Sequence, residues 1–122
     1  MTKKAIVADD SEDWRGIHVS TIKEAFPNVQ VDEAKTGAEL VELVLAGDYS
    51  LVISDNDMET ISNGLYALKR IREAGNKVPF YLISGRVEFC EDALKLGATG
   101  SYSRRTSLDR EQMAKDISKH LE

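Results

Sequence analysis

The chain has 122 residues, 42% of them hydrophobic and 30% charged, with a formal net charge of −5. That length suits one domain spanning residues 1–122, and the composition is that of an ordinary soluble globular protein. The acidic balance argues against non-specific nucleic-acid binding, no apolar run approaches the ~18 residues of a membrane helix, and no signal-peptide core is present.

Short apolar runs alternate with helical patterns along the whole chain. Lys3 to Ala8 reads as a strand ending in Asp9-Asp10. Trp14, Ile17, Ile22, Ala25 and Phe26 then approximate a helical stripe that Pro27 stops. Val29 to Ala34 alternates apolar and polar residues, as a half-exposed edge strand does. Thr36-Gly37-Ala38-Glu39 has capping-box spacing and opens a helix through Ala46, with Gly47 as its stop. Leu51 to Asp55 is the third strand, and Asn63 caps a helix in which Leu65, Leu68 and Ile71 share a face.

Val78 to Ile83 forms the fourth strand and runs into Ser84-Gly85. Val87 to Leu96 is a short helix closed by Gly97, and Thr99 to Ser103 suits a fifth strand. The lone Cys90 in that helix reads as core packing; one cysteine excludes an internal disulfide framework and fits a reducing, cytoplasmic setting. Thr106-Ser107-Leu108-Asp109 resembles a helix start, with Met113, Ile117 and Leu121 as the buried stripe. The expected class is α/β: a (βα)5 doubly wound parallel five-stranded sheet with helices on both faces.

In such a sheet all C-terminal strand ends lie along one edge, where open α/β folds place their ligands. Here that edge collects Asp9 and Asp10 from the first strand, Asp55 from the third and the Ser84 hydroxyl from the fourth. Carboxylates crowded together repel, by ~4 kcal/mol per pair 4 Å apart at an effective dielectric of 20. A divalent cation with oxygen ligands relieves this, and oxygen donors without His or Cys select a hard ion such as Mg²⁺. The pattern points to phosphate chemistry around magnesium. Asp10 alone also admits a reading as a helix cap.

In these residues the chain resembles the receiver domains of two-component response regulators, including the single-domain chemotaxis type. Asp9-Asp10, Asp55, Met58, Pro79, Ser84-Gly85 and Gly97-Ala98-Thr99-Gly100 carry the resemblance, in the family's order and over essentially the whole chain. The resemblance implies a flavodoxin-like fold with strand order 2-1-3-4-5 and Asp55 as phosphoacceptor. It implies Mg²⁺ held by the Asp10 and Asp55 side chains and the Asp57 backbone carbonyl, with Asp9 acting through a metal-bound water. Ser84 would donate its hydroxyl to a phosphoryl oxygen. The implied partners are a sensor histidine kinase or phosphotransfer protein and an unknown downstream protein, with neither nucleic acid nor membrane involved.

Four departures from the family pattern stand out. Arg104-Arg105 occupies the place of a Lys-Pro pair, which leaves Arg104 as the cation expected to face the phosphoryl group and removes the family's cis bond to proline. Glu59 stands where proline is usual, Gly64 falls one residue late after Asp55, and Ser101 replaces the switch aromatic, with Tyr102 aimed at the opposite face of the sheet. Two alternatives follow: a degenerate receiver that binds proteins without being phosphorylated, and, more remotely, an Asp-x-Asp phosphohydrolase built on Asp55 and Asp57. Trp14 and His18 read as core or boundary residues, His120 as solvated or facing a helix dipole, and Lys69, Arg70 and Arg72 as a solvated helix face.

Overall fold

The computed structural model describes residues 3–59 and 63–122. Strands β1 (Lys4–Ala8), β2 (Gln30–Ala34), β3 (Leu51–Asp55), β4 (Phe80–Ile83) and β5 (Gly100–Tyr102) form one parallel sheet in the order β2-β1-β3-β4-β5. Between and after them run α1 (Glu12–Ala25), α2 (Gly37–Ala46), α3 (Asn63–Glu73), α4 (Val87–Lys95) and α5 (Arg110–Leu121). This is the doubly wound, flavodoxin-like α/β arrangement expected from the alternation of apolar runs and helical periods.

Alternation along the strands splits the core in two. Ile6, Ala8, Val52, Phe80 and Leu82 meet Leu40, Val44, Leu68 and Ile71 on the α2–α3–α4 face. Ala5, Val7, Ile53 and Ile83 meet Ile22, Met113, Ile117 and Leu121 on the α1–α5 face. Phe80 is fully buried, so truncating it to alanine would cost ~3–5 kcal/mol. Tyr102 belongs to the α1–α5 core, as its alternation predicts.

Register positions the site. Ala8 pairs with Ser54, and Asp55 pairs with Ile83, so Asp9, Asp55 and Ser84 emerge at successive steps along one sheet edge. The Asn56 amide donates to the Ile83 carbonyl, and the Ser84 amide to that of Tyr102, which extends the ladder past the strands.

Several local expectations need correction. The buried face of α1 is Arg15, His18, Thr21 and Ile22, while Trp14 and Ile17 are half-buried and Ala25 is exposed. Of the expected apolar stripe, Ile22 is buried and Phe26 packs against the core, but the count missed three polar side chains that have partners or packing inside. At the C-terminus, Thr106–Leu108 is a 3-10 turn, and Asp109 caps α5 by accepting from the Gln112 amide. Arg72 is no solvated residue: its guanidinium donates to the carbonyls of Asn76, Val78 and Gly97 and ties the ends of α3 and α4 together. His120 lies 2.9 Å from the Tyr81 hydroxyl through Nε2, so it is partnered by a side chain. Cys90 is half-buried, with Sγ 3.8 Å from the Tyr102 carbonyl.

Candidate acidic functional site

The pocket begins with strand ends that cannot turn their carboxylates away. Asp9, at the end of β1, is buried; its Oδ1 accepts from the Ser11 amide at 2.9 Å. Ser11 in turn caps α1 through its hydroxyl, which accepts from the Trp14 amide. Arg15, buried beneath, donates to the Asp9 carbonyl at 2.9 Å and pairs with Glu33 at 2.7 Å, bracing the main chain. Asp55 is 2% exposed, whereas Asp10 faces solvent. Carboxylate oxygens of Asp9, Asp10 and Asp55 all lie within 4.8 Å of one another.

The cost of that crowding is visible in the protonation of the acids. Burial, then the neighbouring Asp9 charge, pushes Asp55 up to about 7, against which Arg104 pulls downward. Burial also raises Asp9, opposed by the Ser11 amide and Arg104. Asp55 Oδ2 is buried and makes no hydrogen bond within the protein. An orphaned carboxylate oxygen beside two further carboxylates, with no nitrogen or sulfur donor among the three, fits a hard divalent cation. The acidic triad is therefore suited to a metal.

Arg104 reaches into this pocket from the loop after β5. Its Nη2 lies 2.8 Å from Asp55 Oδ1 and its Nη1 3.4 Å from Asp9 Oδ2. The Ser107 hydroxyl donates to the Arg104 carbonyl at 2.8 Å and holds the backbone in place. The guanidinium carbon also sits 4.5 Å from the centroid of the Trp14 ring. Ser84 is buried; its Oγ accepts from the Arg86 amide at 3.1 Å, which leaves its proton available to a ligand. Asp57 is exposed two residues beyond Asp55 and adds to the negative field that raises it.

Three contributors escaped the sequence reading. Asn56 is fully buried; its Oδ1 accepts from the Leu65 amide and its carbonyl from the Gly64 amide, fixing α3 against the site. That approach explains Gly64, because a Cβ there would overlap the Asp55 carbonyl and lie 2.8 Å from Asn56 Cα. The stretch between Asp55 and this late glycine includes residues 60–62, which lie outside the described residues. Glu59, in the place of the family's proline, accepts from the Gly37 amide at 3.0 Å and answers the N-terminus of α2. The third is Trp14, whose contact with Arg104 had no signal beyond the presence of an aromatic residue.

The comparisons agree with this geometry. The model of the response regulator receiver domain family matches residues 5–116. Among solved structures, the receiver domain of the Francisella response regulator 1452 aligns with a TM-score of 0.77 at 21% identity, covering 98% of this chain and 97% of that one. A putative response regulator from Chloroflexus aurantiacus gives 0.83 at 15% identity, over 99% and 98%. The chemotaxis response regulator CheY4 of Vibrio cholerae gives 0.74 at 21%, over 93% and 99%. No curated protein matches the chain. With a family model matched over nearly its whole length, the chain belongs to the response regulator receiver domain family.

Proposed function

We propose that residues 1–122 act as one phosphoacceptor receiver domain, in which Asp55 takes a phosphoryl group in a Mg²⁺-dependent way. The observation that carries this reading is the Asp55 carboxylate: buried, one oxygen on Arg104, the other without a partner, at the centre of the acid triad. The side chains of Asp10 and Asp55, with the Asp57 carbonyl, would hold Mg²⁺, and Asp9 stands beside them. When bound, the ion supplies positive charge that offsets carboxylate repulsion and the charge of the phosphoryl oxygens.

The protein's own residues do the rest. Asp55, as carboxylate, attacks phosphorus in line. The new O–P bond forms as the P–N bond of a phosphohistidine, or the acyl O–P bond of a small donor, breaks and its electron pair leaves with the donor. The Arg104 fork shifts from carboxylate to phosphoryl oxygens, where two parallel N–H bonds are geometrically allowed. The Ser84 hydroxyl donates to a third oxygen. Such chemistry asks for position and charge rather than covalent machinery.

The receiver family implies a histidine kinase partner, and a phosphotransfer protein would serve equally as donor. Output would pass by protein contacts in the cytoplasm. Among the described residues no helix is long and apolar enough to cross a membrane. Arg104 faces the acids, which favours phosphoacceptance over a binding module that ignores phosphate. The family match over residues 5–116 disfavours the Asp-x-Asp phosphohydrolase.

Incubation with acetyl phosphate and Mg²⁺, read by intact mass, tests the proposal. We expect an adduct of about 80 Da, one phosphoryl group, that does not form when EDTA replaces Mg²⁺ and is absent in Asp55→Asn. An adduct of equal yield in Asp55→Asn would move the acceptor elsewhere. Absence of any adduct in the wild type, with acetyl phosphate and with phosphohistidine donors alike, would turn the reading to the binding module.

A further inference from the structure

Arg104 is held by three groups at once: Asp55, Asp9 and the face of Trp14. The third contact is the unusual one. Trp14 is the chain's single tryptophan, and it is set by the same short segment that sets the acids. The Asp9 carboxylate accepts from the Ser11 amide, and the Ser11 hydroxyl from the Trp14 amide. A carboxylate, the cap of α1 and the indole are therefore one rigid unit, spaced over six residues from Asp9 to Trp14. His18, one turn further along α1 and buried, stacks on Trp14 with ring centroids 6.1 Å apart. Burial and then the nearby Arg104 charge lower His18 to about 4, so an uncharged ring backs the indole at neutral pH.

A guanidinium suits this seat better than an ammonium. It is planar and weakly hydrated, and it can lie on an aromatic face while its in-plane N–H groups point elsewhere. Here those groups point at Asp55 and Asp9. Resting on the phosphoacceptor reading of this pocket, we propose that Trp14 is the positioning residue for Arg104. Its indole face holds the guanidinium on Asp55 and Asp9, so that the arginine competes with the metal for those carboxylates and stands oriented for the phosphoryl oxygens. The Trp14–Arg104 pair thus replaces what a compact lysine does alone. It also gives the pocket a tethered cation that must yield ground when Mg²⁺ enters.

The test is a double-mutant cycle on Trp14→Leu and Arg104→Ala, with Trp14→Phe as the conservative variant, read in two ways that need no phosphate. In the wild type the Arg104 Nε proton should resonate upfield of free arginine through the indole ring current. It should return to the free position in Trp14→Leu and stay displaced in Trp14→Phe. Mg²⁺ affinity, followed by calorimetry, should rise about three-fold in Trp14→Leu, the factor expected of a partly exposed cation–π contact. It should change little in Trp14→Phe, and not at all when Trp14→Leu is added to Arg104→Ala. An Arg104 resonance that does not move in Trp14→Leu overturns the proposal. So does an equal affinity change with and without Arg104. Trp14 is half-buried, and matched melting curves across the set would exclude loss of fold as the cause. If coupling appears while neither acetyl phosphate nor a phosphohistidine donor leaves an adduct, the positioning role stands and the phosphoacceptor reading falls. An adduct without coupling gives the reverse.

Discussion

The acid pocket and the half-buried polar cluster along α5 both gather charged and polar side chains against the sheet, yet only one of them is fully answered. Beneath α5, the Tyr102 hydroxyl donates to Asp116 at 2.7 Å, Gln112 donates to the same carboxylate at 2.8 Å, and the Tyr81 hydroxyl meets His120 Nε2. Tyr81 and Tyr102 stack, 5.9 Å between centroids. At the sheet edge, by contrast, Asp55 keeps an oxygen with no partner, and its remaining charge is shared with Asp9 around one guanidinium. A satisfied cluster holds its elements in one arrangement, whereas an unsatisfied one stores a driving force for whatever neutralises it. The first belongs to stability; the second is where the proposed phosphoryl transfer would take place.

The largest expected effect comes from removing the unanswered charge. Burial raises Asp55 to about 7 from 3.8. The folded protein then binds its proton more tightly than the unfolded chain does. Its contribution to stability is highest below pH ~4, falls as pH rises toward 7, and stays low above that. His18 acts in the opposite sense: lowered to about 4 from 6.5, it makes stability rise across that window. The difference between wild type and Asp55→Asn isolates the carboxylate. In urea titrations with EDTA, Asp55→Asn should be more stable than wild type by roughly 1–4 kcal/mol at pH 8 and nearly equal at pH 4. Saturating Mg²⁺ should shrink the gap at pH 8. A gap that is independent of both pH and metal would show that Asp55 carries no uncompensated charge.

Next in size is Gly64→Ala. Its Cβ would meet main-chain atoms of Asp55 and Asn56, which cannot swing aside as a side chain could. A loss of ~2–3 kcal/mol is expected, together with weaker Mg²⁺ binding, because the collision displaces the strand end that carries Asp55. Unchanged metal affinity in a destabilised Gly64→Ala would separate the packing of α3 from the site. The smallest effect belongs to the satisfied cluster. Tyr102→Phe should cost about 1–2 kcal/mol, as Asp116 loses one of its donors, and leave the yield of phosphoprotein unchanged. A fall in yield would couple the Tyr102 hydroxyl to the site through the backbone it shares with Ser84.

The strands and the acids were legible in the sequence for the same reason. A buried parallel strand is an uninterrupted apolar run, and a carboxylate at its end is conspicuous. Leu51–Asp55 was therefore bounded as observed. Helix faces were harder to read. On α1 the buried polar positions are Arg15, His18 and Thr21; Arg15 and Thr21 take partners from far away in the chain, and His18 packs on Trp14 one turn earlier. No local period reports a salt bridge to Glu33 or a contact from Arg110. Asp109 was overlooked as the cap of α5 because Thr106, three residues earlier, offers the same chemistry and forms its own turn with Ser103 instead. Arg104 was expected to face the acids on the strength of its position. Its seat on Trp14 joins residues ninety apart in sequence, and only the fold brings them together.

The central claim is that Asp55, the carboxylate left unanswered by the protein, is the atom group that takes the phosphoryl. Borohydride reduction after treatment with acetyl phosphate and Mg²⁺ converts an aspartyl phosphate to homoserine and fixes its position in the chain. The tryptic peptide 36–69 should then carry homoserine at position 55 and aspartate at positions 48 and 57. Homoserine at Asp9, Asp10 or Asp57, with position 55 intact, would contradict it.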